Sequence, residues 1–228
     1  MKGTFYGIGV GPGDPELLTL KATRILNKID VIAVPESKKE AGSVALDIAA
    51  PYLKKGVKII TLTFPMIRDE VAKAAIRREN ALLIAKEIEK GSNVAFLTLG
   101  DPMLYSTYIY LLENMTNMGI EIISIPGIYS FAAISNLLNS PLAKGDESLA
   151  VISEFDPLVW SDLQRFQSIV CMKVSAYSLL LFDNLNTITG RKFLMVTNAG
   201  KDTQTISYDI NDLLTDIPYF TTVILTKE

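Results

Sequence analysis

Histidine is absent from the chain, and cysteine occurs once. Without imidazole there is no Ser-His or Cys-His nucleophile pair and no histidine-based metal site, and no metal site is expected. The one thiol, Cys171, lies in the apolar run Ser168-Ile169-Val170-Cys171-Met172-Lys173 and reads as a buried core group rather than a nucleophile. A lone cysteine leaves no disulfide within the chain, which fits a cytoplasmic protein. Long apolar stretches are lacking too. Each is interrupted well short of the ~20 residues a membrane span needs, and the start of the chain has no basic-then-apolar signal pattern. Nor does one charge dominate. Lys and Arg total 22 against 25 Asp and Glu, a net charge of −3, which gives no support to a nucleic-acid partner.

What is present is 228 residues that are 49% hydrophobic, enough for a sizeable core in one large domain or two small ones. Near the start, Gly7-Ile8-Gly9-Val10-Gly11-Pro12-Gly13-Asp14-Pro15-Glu16 follows a short apolar run. Glycines in such number read as a loop at a strand end, where another molecule can approach the backbone. Asp14 suits a helix N-cap, Pro15 the first helical position, and Glu16 the positive helix end. Leu18, Ala22, Ile25, Leu26 and Ile29 then recur at helical spacing. The loop is no dinucleotide fingerprint. Counted from Gly7 the sixth position is Pro12, and from Gly9 it is Asp14, whose carboxylate would repel a pyrophosphate. No Walker lysine follows. Taken alone, a structural tight turn explains the loop as well.

Strands are predicted at Thr4–Gly9, Asp30–Pro35, Lys58–Leu62, Asn93–Leu99 and Ile120–Ile125. Helices are predicted at Ser43–Leu53, at Asp69–Lys90 with an apolar stripe of Val71, Ala75, Leu82, Ala85 and Ile88, and from Pro102 through Met118. Arg77 and Arg78 read as solvated charges. This alternation argues for a parallel α/β sheet over residues 1–125. Beyond that point the texture changes. A helix at Ile128–Leu138 is followed by strand-like runs at Ser148–Ser153, Ser168–Val174, Lys192–Thr197, Thr203–Tyr208 and Tyr219–Thr226, with helical stretches near Asp156–Phe166 and Ser175–Leu185. Residues 126–228 therefore read as a second α/β lobe with a mixed sheet.

Gly-Asp-Pro occurs at Gly13–Pro15 and again at Gly100–Pro102, each time between a strand and a helix, and Pro126-Gly127-Ile128-Tyr129-Ser130 is a third such loop. Parallel sheets bind ligands outside the carboxyl ends of their strands. Asp101, a carboxylate just past a buried strand, needs hydrogen bonds or a function to be tolerated. Met172 by itself reads as core, and Ser130 as a helix cap.

On Gly9-Val10-Gly11-Pro12-Gly13-Asp14-Pro15-Glu16-Leu17-Leu18-Thr19-Leu20, Leu99-Gly100-Asp101-Pro102 and Pro126-Gly127-Ile128, the chain resembles the tetrapyrrole methylase family of S-adenosylmethionine-dependent enzymes. Three further stretches are similar to the branch that methylates carbon 20 of precorrin-2 or cobalt-factor II in cobalamin synthesis. They are Gly100–Tyr108, Phe64-Pro65-Met66 and Pro141–Leu149. The resemblance implies two α/β lobes with the active site in the trough between them, a homodimer, and S-adenosylmethionine held largely by backbone groups. Carried over by position, the cofactor contacts are Leu99, Gly100, Asp101, Met103, Leu104, Tyr129, Ser130, Met172, Ala199 and Gly200. Gly11, Pro12, Gly13, Asp14 and Glu36 face the tetrapyrrole substrate, and Asp101 is also the candidate proton acceptor. Where a related branch ends its second strand in an aspartate, this chain has Pro35 with Glu36 beside it. The substrate's carboxylates call for local positive charge, with Lys38, Lys39, Arg68, Lys144 and Lys173 as contributors. The rivals are a methylase of the same fold acting on another tetrapyrrole, RNA or protein, a cofactor-binding scaffold, and a nicotinamide dehydrogenase.

Overall fold

Strand and helix alternate from the first residues of the computed structural model, which describes residues 2–35, 43–65, 67, 69–185 and 190–227. Contacts divide the chain into two units, Met1–Tyr129 and Ser130–Glu228. Residues 126–129 thus cluster with the first unit.

The first unit runs β1 (Phe5–Gly9), α1 (Leu20–Leu26), β2 (Val31–Pro35), α2 (Val44–Ala49), β3 (Lys58–Leu62), α3 (Glu70–Glu89), β4 (Val94–Thr98), α4 (Tyr108–Asn117) and β5 (Ile122–Ile125). Its strands stand in the order β3-β2-β4-β1-β5 with every pairing parallel. Apolar clusters cover the sheet on both faces, one built on Ile8, Leu26, Ile32 and Leu97, the other on Phe5, Ala33, Ile84 and Phe96. That is why the central strands read as continuous apolar runs.

Three sequence expectations shift in detail. Asp14 does cap, accepting the Glu16 amide at 2.8 Å, but it opens only a 3-10 turn, Pro15–Leu17. Leu18 then turns extended and is buried, and Thr19 starts the true helix by accepting the Ala22 amide at 3.2 Å. In α3 the buried face is Asn80, Ala81, Ile84, Ala85 and Ile88, whereas Val71 and Leu82 are exposed. Of the expected stripe, Ala85 and Ile88 lie on that face, while Val71, Ala75 and Leu82 fall off it. The third shift is at α4, which begins at Tyr108 rather than after Pro102. Residues 101–107 form turns held by Ser106, whose hydroxyl donates to the Pro102 carbonyl and accepts the Tyr108 amide.

Tyr108 is fully buried against Phe5 and Phe96, and its hydroxyl shares a 2.7 Å hydrogen bond with Ser124 Oγ. Its ring fills the space beside Gly7, where a Cβ would lie 2.1 Å from Cζ. Tyr108→Phe keeps the ring and strips Ser124 of its partner. Urea denaturation should therefore show a loss of about 1 kcal/mol with an unchanged m-value.

The second unit runs α5 (Ser130–Leu137), β6 (Leu149–Ile152), α6 (Pro157–Leu163), β7 (Ser168–Met172), α7 (Ser178–Leu185), β8 (Arg191–Thr197), β9 (Thr205–Ser207) and β10 (Thr221–Lys227). Its sheet is mixed as expected, in the order β6-β7-β10-β8-β9, with β6 parallel to β7 and the remaining pairs antiparallel. Cys171 is wholly inside its core, and burial pushes the thiol up to about 12, out of nucleophile range.

Candidate functional site

The order β4-β1-β5 sets the carboxyl ends of three strands side by side, so the loops that leave them meet. Gly11 and Gly100 form a two-bond bridge, the Gly100 amide donating to the Gly11 carbonyl at 2.8 Å and the Gly11 amide to the Gly100 carbonyl at 3.3 Å. Gly127 closes on Gly9 and Gly100. A Cβ on Gly9 would lie 2.6 Å from the Gly127 nitrogen, and one on Gly127 only 2.0 Å from the Gly100 oxygen. Here glycine is required by backbone-on-backbone approach, and at Gly11 and Gly100 also by φ of 78° and 74°.

Asp101 locks the arrangement. It is 7% exposed, and its Oδ1 accepts the Met103 amide at 2.8 Å while Oδ2 accepts the Gly127 amide at 2.9 Å. The carboxylate thereby ties its own loop to the loop after β5, and the hydrogen bonds answer the cost of its burial. Tyr129 hydrogen-bonds to the same carboxylate. Burial first, and then the Asp101 charge, raise the phenol above its ordinary range, so it stays a neutral donor.

Each residue singled out from the sequence now has a place. Within the first unit the structure brings together Gly11, Gly100, Asp101 and Tyr129. Leu99 and Leu104 lie along the same loop half-exposed, and Met103 is exposed. Pro12 is buried, Gly13 half-exposed, and the Asp14 carboxylate is engaged as a cap. Glu36, Lys38, Lys39, Met66 and Arg68 lie outside the described residues.

Ser130, Met172, Ala199 and Gly200 belong to the second unit. There Met172 pairs with Thr222, which pairs with Val196, so the ends of β7 and β8 share one edge of the sheet. That edge is marked by left-handed backbone at Lys173, Asn198 and Gly200. The Met172 carbonyl accepts the Tyr177 hydroxyl at 2.8 Å, Ala199 is buried, and the Gly200 amide donates to Gln204 at 2.9 Å. Burial lowers the Lys173 ammonium below its usual range. Lys144 is exposed on a loop. Ser130 opens α5.

Two contributors escaped the sequence reading. Gly9 and Gly127 were quoted in motifs but not as site residues, although their mutual approach builds the site. Glycine at the end of each of two strands was the available signal. Arg77 is no solvated charge. Its guanidinium carbon sits 3.5 Å from the Tyr110 ring centroid, and its side chain is only 21% exposed. No local pattern links residues on two separate helices.

The loop at Gly100 leaves room for a ligand against its backbone. A Cβ built on Gly100 meets only the Ile128 carbonyl, at 3.9 Å, so a side chain there would fill open space in front of the loop. A ligand can reach backbone groups where that side chain is missing. Among the described residues no cluster of His, Cys, Asp and Glu could hold a metal ion, and no helix is long and apolar enough to cross a membrane.

Comparison with known proteins agrees with this geometry. The family model for tetrapyrrole (corrin/porphyrin) methylases matches residues 4–210. A cobalt-precorrin-2 C(20)-methyltransferase from Salmonella typhimurium is 35% identical, the match covering 100% of this chain and 98% of that protein. A Methanocaldococcus jannaschii protein named "probable cobalt-precorrin-2 C(20)-methyltransferase" is 41% identical over 74% of this chain and 71% of its own. Among solved structures, the uroporphyrin-III C-methyl transferase of Thermus thermophilus complexed with S-adenosyl homocysteine superposes with a TM-score of 0.72. It is 20% identical, with 98% of this chain and 92% of that one covered, and shows the shared fold. The motifs on the three strand ends, the sheet order that joins them and the match along most of the chain agree: the chain belongs to the tetrapyrrole methylases.

Proposed function

We propose that the enzyme transfers a methyl group from S-adenosylmethionine to the carbon-20 meso position of precorrin-2, in its cobalt-bearing form, during cobalamin synthesis. The observation that carries this reading is the 35% identity along the whole chain to a protein named for that reaction. The glycine-lined loop ends of the first unit support the cofactor. When bound, S-adenosylmethionine supplies a methyl group already activated by its sulfonium, and the electron-rich meso carbon of a reduced tetrapyrrole is a competent nucleophile. The protein's work is then alignment and exclusion of water. Effective molarities of roughly 10⁵–10⁸ M for well-oriented reactants show how far alignment alone can go.

Gly100 presents backbone to the cofactor, flanked by Leu99, Met103, Leu104 and Tyr129. The resemblance assigns cofactor contacts to Ser130, Met172, Ala199 and Gly200 as well, and substrate contacts to Gly11, Pro12, Gly13, Asp14 and Glu36. Asp101 ties the two loops through the backbone amides it accepts, and with lone pairs remaining on both oxygens it is also the candidate acceptor of the proton lost from the methylated carbon. Cobalt enters as part of the substrate. Following the resemblance, the enzyme acts as a cytoplasmic homodimer, without nucleic-acid or membrane partners.

Anaerobic turnover with methyl-labelled S-adenosylmethionine tests this, with cobalt-precorrin-2, metal-free precorrin-2 and uroporphyrinogen III as acceptors. Label should appear at carbon 20, fastest on the cobalt form. Transfer to uroporphyrinogen III alone would keep the family and discard the assigned position. Cofactor binding without transfer to any acceptor would count against the tetrapyrrole reading.

A further inference from the structure

The first unit carries a concavity of about 430 Å³, walled by the segment after β3, the first half of α3 and the start of α4. Phe64 and Ile76 supply an apolar wall, and Lys73 and Arg77 supply charge. Thr107, which lines the groove, is the residue just before α4, at the end of the turn segment that follows Asp101.

Arg77 is the unusual member. A guanidinium whose carbon lies 3.5 Å from a ring centroid must lie nearly parallel to the ring, which leaves its N–H edges directed sideways. Glu70 approaches Nη1 only to 3.8 Å, and makes its close contact with Lys73 at 2.7 Å instead. Two largely covered cations, at 21% and 25% side-chain exposure, thus share one carboxylate that is itself 71% exposed. The groove keeps a positive excess beside an apolar wall. Its frame is preorganised: the buried Asn80 amide donates to the Thr63 carbonyl at 2.8 Å, pinning α3 to the segment that carries Phe64. Phe64 packs edge-on against Phe96 of β4.

We propose that this groove anchors a peripheral carboxylate of the tetrapyrrole substrate, with Arg77 as the charged receptor and Tyr110 as the surface that holds it in position. The inference rests on the tetrapyrrole reading above. The propionate and acetate arms of such a substrate match both features. Their carboxylates suit a guanidinium fork, and their methylenes suit Phe64 and Ile76. An anchor away from the reacting carbon fixes which meso position is presented.

Equilibrium binding of uroporphyrin III, a stable porphyrin carrying the full set of carboxylate arms, tests the anchor without turnover. Its absorbance is titrated with the wild type and with Arg77→Met, Arg77→Lys and Glu70→Gln. Arg77→Met should weaken binding tenfold or more. Arg77→Lys should recover only part of that, because a point charge lacks the fork. Glu70→Gln should tighten binding two- to threefold by releasing the cations, a change in the opposite direction that misfolding would not produce. S-adenosylhomocysteine affinity should be the same in all four proteins. With cobalt-precorrin-2, Arg77→Met should raise KM at nearly constant kcat. Wild-type binding by Arg77→Met, or no porphyrin binding by the wild type, would overturn the anchor. If Arg77→Met binds porphyrin weakly but the wild type methylates no tetrapyrrole, the anchor stands and the proposed reaction falls.

Discussion

Gly127→Ala should abolish measurable cofactor binding and lower the thermal midpoint by several degrees. The new methyl would lie 2.0 Å from the Gly100 carbonyl oxygen, 2.8 Å from the Gly9 Cα and 2.9 Å from the Gly9 carbonyl carbon. Every one of those neighbours is backbone, so no rotamer change relieves the clash. Relief requires the ends of β1, β4 and β5 to separate, which breaks the Gly11–Gly100 bridge and the bond from the Gly127 amide to Asp101. Overpacking of this kind costs about 1–3 kcal/mol, and each kcal/mol moves the midpoint of a chain this size by roughly 2–4 °C. Binding suffers more than stability because the displaced groups are those that would face the cofactor. Gly56→Ala is the control. Gly56 also has positive φ, at 74°, but a Cβ there meets nothing within 4 Å, so it should lose some stability and keep full affinity. Calorimetric titration with S-adenosylhomocysteine separates the two, and near-normal affinity in Gly127→Ala would show that the loops are not the binding surface.

Asp101 carries the second large effect. Alanine at this position leaves the Met103 and Gly127 amides without their acceptor in a buried place. Hydrogen bonds to a charged group contribute about 1.5–3 kcal/mol each, and some of that returns through water entering the gap. A loss of about 2–4 kcal/mol in stability follows, with cofactor affinity down a hundredfold or more. Asp101→Asn is the sharper probe. It keeps the shape, but one of its two polar atoms becomes a donor facing a backbone donor. If Asp101 ties the loops, cofactor affinity and turnover fall together in Asp101→Asn. If it were the proton acceptor, affinity would hold while turnover vanished. Steady-state kinetics with varied S-adenosylmethionine, alongside direct binding, distinguishes the two outcomes.

Strands and helices were readable along nearly the whole chain because their signals are local: apolar runs for buried parallel strands, periodic apolar positions for helices, and glycine with proline at the strand ends. Even the capping chemistry was partly visible. Asp14 caps as its sequence context suggests, but the helix waits for Thr19, since burial of Leu18 pulls that residue into extended backbone. The face of α3 was read correctly at Ala85 and Ile88 but not at Val71, Ala75 and Leu82, because periodicity reports that a stripe exists without fixing which neighbouring positions the tertiary packing covers.

The site divides along the same line. Its three glycine loops, their order and the aspartate in the middle one stand in the linear chain, and with them the family. Their meeting does not. Residues 9, 100 and 127 touch because β4 inserts between β2 and β1 while β5 takes the far side of β1, an order settled by long-range packing. The same holds for Arg77 and Tyr110, 33 positions apart on α3 and α4. Each alone is an ordinary surface residue type; only the packing of two helices against one sheet face stacks them. Short-range chemistry is written in neighbouring residues, whereas a contact between distant ones depends on the free energy of the whole packed chain.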